Sequence, residues 1–410
     1  MALLRSSATS DAAATLVSGD VRRHNLSIVA RYLVDNGASS RSQIADGTGL
    51  TRGSVTALTS VLLKAGVLHE AEPQDARGKG RPLTLLNLSA DHMAILALQL
   101  DADQVTGLLT TLTGEPLLRI NEHHGRPMGR PEPILDVMAS VLGRILDASE
   151  AMGRRLADMT VVVFAPVGGQ PPVVIADTDL GWGTVDLLAG LRQRDSRVPP
   201  FARLLPDSIL AAQAELTLLE DGRDMIYLKS NSGIGGAVIV DGAVVAGAHE
   251  LAGALGHIPL VPGGVLCGCG QRGCLDTVAG PDVILRAAGL AGLLESDGLT
   301  AALDELTGRI LAGEPRASAV WDAAAEWIAR ALQILSMAVD PKVIVLGGYW
   351  ARLAESIGIR YAASRPLAAM DVAWLQVDVV AGRLEGDAAL FGAVWGARDR
   401  LLGDPLQISI

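Results

Sequence analysis

Apolar residues in "NLSIVARYLVDNG" fall at Leu26, Val29 and Leu33, the spacing of one helical face, and Gly37 is placed to end that helix in a left-handed turn. The next run, "SSRSQIADGTGL", sets Ser40 three residues before Gln43, a capping box that predicts a short second helix broken at Gly47 and Gly49. A third helix is predicted over "TRGSVTALTSVLLKAG", with Thr51 as N-cap, Val55, Leu58 and Leu62 as buried stripe, and Gly66 as stop. Its other face carries Arg52, Ser54, Thr56 and Thr59, all short or cationic donors. Two strand-like runs follow, "GVLHEAEP" and "RPLTLLNLS", joined by "QDARGKG". Three helices and a hairpin within residues 21–88 make the pattern of a winged helix-turn-helix domain, whose third helix enters a major groove while the hairpin loop reaches phosphates. The candidate DNA contacts are Arg41, Ser42, Thr51, Arg52, Ser54 and Thr56 on the helices, with Arg77, Lys79 and Arg81 in the loop. Any small three-helix unit with a solvated loop shows parts of this pattern, so the complete order of elements carries the reading.

From residue 94 the texture becomes α/β. "AILALQL" reads as a strand, "VTGLLTTLTGEPLLRI" as a pair of strands, "PEPILDVMASVLGRILDAS" as an amphipathic helix and "MTVVVFAPV" as a buried strand. Further on, "DMIYLKSNSGIGGAVIVDGAVV" reads as a strand, a glycine loop and a hairpin, "VWDAAAEWIARALQILSMAVD" as a long helix, and "PKVIVLGG" as a strand into a glycine loop. Strands ending in glycine loops occur in both halves, which predicts two related lobes, residues 89–206 and 207–400, with a cleft between them. Residues 1–20 are expected to be a disordered tail and 401–410 a C-terminal tail.

Composition sharpens this division. Averaged over 410 residues, a net charge of -11 argues against nucleic acid. Residues 1–88, however, hold ten basic and seven acidic residues, against 24 and 38 in the remainder. The basic excess is confined to the head, as suits a DNA-binding head on an acidic body. The longest apolar runs, such as "VVVFAPV", are too short to span a bilayer, and the N-terminus has no continuous apolar core. A cytoplasmic protein with no membrane partner is expected.

All three cysteines, Cys267, Cys269 and Cys274, lie in "GHIPLVPGGVLCGCGQRGCLD", just after His257. This stretch matches the Gly-His and Cys-x-Cys-Gly-x-x-Gly-Cys-x-acid pattern of the ROK family of repressors, open reading frames and kinases. The chain resembles that family over roughly residues 22–400. The "GRP" at Gly80–Pro82 matches the end of the wing in its repressors, and "NSGIGGAVIVDGAVVAG" its second phosphate loop. Further blocks are "LGWGTVDL", "VIVLGG" and "GDAALFGA". The resemblance implies an α/β actin-like body of the sugar kinase/ribonuclease H-like ATPase type behind the winged helix-turn-helix domain. It also implies one structural zinc per chain, held by His257, Cys267, Cys269 and Cys274, since three thiolates and an imidazole make a closed tetrahedral set. Three free thiols in a buried loop are the alternative. A disulfide is disfavoured, because Cys267 and Cys269 are too close to pair easily and the expected compartment is reducing.

The same resemblance places Asp207 at the position of the family's catalytic base and assigns Asp207, His257 and Asp276 to its sugar pocket. Asp207 also reads as the N-cap of a helix running to Leu219. Several family positions are changed. In "LDADQVTG", Asp103, Gln104 and Val105 replace the small and hydroxyl residues of a phosphate loop, and a carboxylate there repels phosphates. Pro206 replaces an asparagine, Ala254 replaces a glutamate, and "FAPVGG" departs from the pocket loop near Pro166. Ser232, Gly233, Gly235 and Gly236 survive, though glycines serve plain chain geometry equally well.

These residues lead us to expect no kinase activity and no catalytic residue, Asp207 being a degenerate base position. The expected function is a transcriptional regulator, most simply a repressor of sugar-related genes. It would be a homodimer or dimer of dimers on a double-stranded operator and answer to a sugar or sugar derivative, with fewer exposed hydroxyls or an added anionic group. The alternatives are an active sugar kinase carrying a DNA-binding head, and a regulator controlled by a protein partner. The effector's identity, the operator and the sign of regulation are not written in the sequence.

Overall fold

The structure, a computed structural model, describes residues 18–71, 84–89, 92–220, 222–363 and 376–408. Two compact units separate: Met1–Met93 with Arg398–Ile410, and Ala94–Ala397.

In the first unit α1 (Ser18–Asn36) begins inside the stretch expected to be a tail and ends at Gly37, φ 70°, whose N–H reaches the Leu33 carbonyl at 3.0 Å. Next comes β1 (Ser39–Ser40), and then α2 (Arg41–Thr48) starts on the expected capping box. Ser40 Oγ accepts from Gln43 N–H at 3.3 Å, and Gln43 Oε1 accepts from Ser40 N–H at 2.9 Å. Gly49, at φ 71°, makes the break alone; Gly47 stays within α2, where a Cβ would come 2.2 Å from the Tyr32 ring. In α3 (Arg52–Lys64), Thr51 caps Ser54 N–H at 3.2 Å and Val55, Leu58 and Leu62 are buried. Strands β2 (Leu68–Ala71) and β3 (Leu85–Leu88) pair antiparallel with Leu68 opposite Leu88, and β1 adds to β3. The tip between them, with Arg77, Lys79 and Arg81, lies outside the described residues. The chain's last residues depart from the expected tail: Arg398–Ile410 belong to this unit, and Arg31 pairs with Asp399 at 2.9 Å.

The second unit contains two five-stranded sheets. The first has β4 (Met93–Leu100), β5 (Gln104–Thr110), β6 (Pro116–His123), β7 (Arg155–Val163) and β10 (Arg203–Pro206) in the order β10-β7-β4-β5-β6. The second has β11 (Met225–Ser230), β12 (Ile234–Val240), β13 (Ala243–Val244), β14 (Val343–Gly348) and β15 (Asp378–Ala381) in the order β13-β12-β11-β14-β15. Each begins with three antiparallel strands and ends with a parallel pair at the opposite edge, so one pattern is used twice. The small pair β8 (Val167–Gly168) and β9 (Val173–Val174) extends the first lobe.

Helix α4 (Glu132–Ala151) buries Ile134, Met138, Val141 and Ile145 on the first sheet, joined by α5 (Leu187–Arg194). Helix α6 (Asp207–Thr217) starts directly after β10 and packs against β11 and β12 of the second sheet. The second core is closed by α7 (Asp276–Ala279), α8 (Pro281–Ala287), α9 (Ala291–Leu311), α10 (Pro315–Val339) and α11 (Ala354–Ala363). Helix α12 (Ala388–Gly403) follows, its residues up to Ala397 in this unit and those from Arg398 on in the first. Among the described residues no single helix is long and apolar enough to cross a membrane, although the bent pair Asp276–Ala287 and Ala291–Leu311 passes by length and composition together. That pair places Ile284, Leu285, Leu299 and Leu306 in the second-lobe core.

Candidate functional site

The cysteine loop folds back on itself. Leu260 and Val261 N–H both reach the Gly273 carbonyl, at 2.8 and 3.0 Å, and Cys267 N–H reaches Gln271 at 2.8 Å. Gly273 has φ 73°, and a Cβ there would lie 1.8 Å from the Val261 carbonyl oxygen, so only glycine lets the two arms meet. The fold brings His257, Cys267, Cys269 and Cys274 together, one donor atom from each lying within 4.8 Å of all the others. His257 Nδ1 is 3.6 Å from Cys267 Sγ, and Cys269 Sγ is 3.6 Å from Cys274 Sγ. This cluster could hold one metal ion. His257 and Cys269 also line the adjoining cavity.

That cavity, of 480 Å³, also brings Asp207 and Asp276 beside His257, together with Pro206 and Ala254. Its size suits a small organic ligand. Asp207 begins α6, but no side-chain cap bond forms there, so the N-cap reading fails. Its carboxylate instead accepts from Lys229 Nζ, and both side chains are about nine-tenths buried. Lys229 is a residue that sequence reasoning missed. It sits on β11 in a run reading as a plain buried strand, and only its position opposite the start of α6 gives it a partner.

The remaining polar lining includes four carboxyl groups, Asp177, Asp179, Glu250 and Asp276, beside Thr178, Ser208, Ser232 and Gln271. Asp177 Oδ1 accepts from the N–H of Asp179 and Leu180, at 2.8 and 2.9 Å, although burial still pushes its carboxyl up. Burial, with help from Asp276 and Asp177, pushes Asp179 up to about 8. Burial also raises Asp276, against the pull of His257, and Asp276 Oδ1 accepts from Ile234 N–H at 3.2 Å.

The ROK family profile matches residues 96–400. The chain belongs to the ROK family. It is 24% identical over 336 residues to the DNA-binding transcriptional dual regulator NagC of Escherichia coli, a match covering 80% of this chain and 81% of that protein. A solved ROK family transcriptional regulator, a homologue of the E. coli MLC protein, follows the fold over 95% of this chain and 98% of its own, with a TM-score of 0.72 and 22% identity. A ROK family glucokinase from Streptomyces griseus, solved with glucose and AMPPNP, has a TM-score of 0.61 and 23% identity over 74% of this chain and 99% of its own. The body therefore has the actin-like ROK sugar-kinase fold.

On this ROK body the segment Asp101–Asp103, expected to be a changed phosphate loop, is the turn between β4 and β5. Asp103 there is only 5% exposed and accepts from the backbone N–H of Leu299 at 2.9 Å and of Thr300 at 3.4 Å. Burial pushes the neighbouring Asp101 up, and Lys229 opposes the shift. In the head, Arg52 and Thr56 are exposed at the start of α3, and Ser54 and Ser42 are half-buried. Two expectations for this face change. Thr59 is buried, its hydroxyl bonded to the Val55 carbonyl at 2.8 Å, and Arg41 is half-buried with its Nε–H on Thr59 Oγ1 at 3.2 Å.

Proposed function

We propose that the protein is a DNA-binding transcriptional regulator of sugar-related genes, acting as a repressor and as a homodimer on a double-stranded operator. Its body would read an effector without phosphorylating it. The observation that carries this is the head. It forms a compact unit of its own in which a Gly49 turn joins two helices, and the second helix exposes Thr51, Arg52 and Thr56 at its start. Arg52 would meet phosphate or base edges there, assisted by Arg77, Lys79 and Arg81 of the wing. The relative NagC is a transcriptional regulator by name, in keeping with this reading. Two features support a body without catalysis. A base must have a lone pair aimed at the substrate, and Lys229 already takes one oxygen of Asp207, Oδ2, leaving only Oδ1 for that role. Nucleotide phosphates would also meet the buried Asp103 carboxylate.

One structural zinc belongs in the cysteine cluster. Tetrahedral zinc with ~2.3 Å metal–sulfur bonds spaces its ligand atoms ~3.7 Å apart, close to the 3.6 Å separations here. Four protein donors leave no open position for a substrate, and His257 would tie the ion mechanically to the pocket. The ligand-binding residues would be Asp207, His257 and Asp276. A neutral sugar derivative fits this pocket better than an anionic one: its lining offers Lys229, already paired, and His257, against five carboxyl groups, of which Asp179 is held protonated by burial.

Selecting duplexes from a random pool with the full-length protein, followed by mobility-shift titration, tests the reading. Arg52→Ala should weaken the selected duplex by tenfold or more and flatten the salt dependence. Unselective binding that Arg52→Ala leaves unchanged would overturn the DNA-binding half. An ADP-release assay across hexoses and amino sugars should read background, and turnover that vanishes in Asp207→Ala would overturn the non-catalytic half.

A further inference from the structure

The turn Asp101–Asp103 leaves the first sheet between β4 and β5, yet its outer residues are buried in the second lobe. Ala102 is 2% exposed and belongs to the second-lobe core, with Leu299 and Tyr349. Asp103 reaches the same lobe by a different means. Helix α9 is interrupted at Gly298, which has φ 88° and ψ 176°, and a new helical segment opens at Leu299. The first N–H groups of a helix have no partner within it, and a carboxylate is their best external acceptor because it also meets the positive end of the helix dipole. Asp103 Oδ2 is that acceptor, although it lies almost two hundred positions away in sequence. A Cβ at residue 298 would lie 2.7 Å from the same oxygen, so glycine at the break is what admits the carboxylate.

The other end of the turn is anchored in the first lobe. His124 N–H donates to the Asp103 carbonyl at 3.1 Å. The ring Nδ1 of His124 accepts from Arg126 N–H at 3.2 Å, which puts the ring proton on Nε2, where it meets the Asp101 carbonyl at 2.9 Å. Burial lowers the His124 pKa, keeping the ring neutral for both bonds. Beside the turn, Arg119 of β6 makes two 2.8 Å bonds to both carboxylate oxygens of Asp387, in the short helical turn packed against β14. The cleft between these contacts, of 180 Å³, is lined by Asp101, Asp103, Asn231, Thr300 and Gly348.

We propose that the β4–β5 turn is a plug that fastens the two lobes to each other. Ala102 is seated in the second core and Asp103 caps the N–H groups of Leu299 and Thr300, so the lobe arrangement is set by the chain itself and an effector that opens the lobes must draw this turn out. The plug concerns the body alone and does not rest on DNA binding by the head.

Hydrogen–deuterium exchange on the full-length protein, alongside small-angle X-ray scattering, tests it. In Asp103→Ala the amides of Leu299 and Thr300 should exchange at least tenfold faster and the scattering radius should increase, with head amides unchanged. Asp103→Asn keeps the shape and one acceptor but loses the charge, so it should fall between the two; it serves as the test if the alanine variant does not fold. If folded Asp103→Ala, or Asp103→Asn in its place, matches wild type in both exchange and scattering, the plug is refuted. Failure of wild type to select any duplex would refute the regulator reading and leave the plug standing.

Discussion

Lys229 and Asp207 form a buried ion pair, and such pairs are asymmetric to mutation. Removing one partner strands the other charge away from water, at a cost of about 3–5 kcal/mol, while replacing both with apolar or neutral groups costs far less. Lys229→Met should therefore lower the urea midpoint sharply, and the double variant Lys229→Met with Asp207→Asn should recover most of the loss. Additive losses in that cycle would show that the pair is not coupled. Asp179 makes a second residue-scale prediction. Folded, it keeps its proton up to about pH 8; unfolded, it loses it near the ordinary carboxyl value of 3.8. Between these values the folded state binds more protons, so stability falls as pH rises through that window. Asp179→Asn stays neutral and escapes the penalty. It should match wild type near pH 4 and gain about 1.4 kcal/mol for each pH unit above that, reaching several kcal/mol by pH 8, and a gain that does not grow with pH would contradict the assignment. At this scale the sequence was half legible. Asp207, His257 and Asp276 could be picked out by motif, and the structure does bring them to one cavity. Lys229, Asp179 and the turned-in Thr59 could not, because each owes its environment to a partner or to burial fixed only by tertiary packing.

Elements with strong local signals are where the sequence suggests. The stripes of α3, α4 and α10, the Ser40–Gln43 box and the hairpins at β2–β3 and β11–β12 are each set by spacing within a few turns. The break of α9 at Gly298 was not legible, since the acceptor for the N–H groups it frees is Asp103 in another lobe. Nor were β10 and β15, four residues each, whose strand form comes from pairing with β7 and β14. The cysteine loop has almost no regular structure, so its shape rests on the bonds that fold it back on itself and on Gly273. Native mass spectrometry should find one zinc per chain, and changing Cys267 and Cys269 together to Ser should abolish it. Gly273→Ala, forced into contact with Val261, should lower zinc occupancy below one equivalent. Chelation should lower the melting transition of the body and leave that of the head in place, since all four donors belong to the body unit. A single shared shift would mean that the two units unfold as one.

At the scale of the whole molecule, regulation requires the pocket to distinguish lobe arrangements. A ligand that changes DNA occupancy tenfold must favour one arrangement by ~1.4 kcal/mol. An ordinary hexose needs several polar partners in the pocket, and two lining positions that the family resemblance assigns to sugar contact offer none. Pro206 precedes Asp207 with no amide to offer, and Ala254 presents only a methyl group. Each missing partner removes about 1 kcal/mol of net hydrogen bonding, and more where a sugar hydroxyl is stranded. Calorimetry with free glucose should accordingly show no micromolar binding, and its appearance would contradict this account of the pocket. The converse experiment is gain of function. Pro206 is the N-cap of α6 with φ −70° and ψ 140°, a conformation asparagine adopts readily and one in which it caps well, so Pro206→Asn should fold without strain. Ala254 lines the cavity in the short turn before His257, where a longer side chain can extend into the open space. Pro206→Asn with Ala254→Glu should bring hexose binding into the measurable range, read as a thermal shift that grows with sugar concentration. Turnover should stay at background in the same variant, because Lys229 still holds Asp207 and Asp103 still caps Leu299. If the double variant folds and ignores every hexose, these two positions do not face the sugar. If it phosphorylates one, the buried ion pair is no barrier to catalysis.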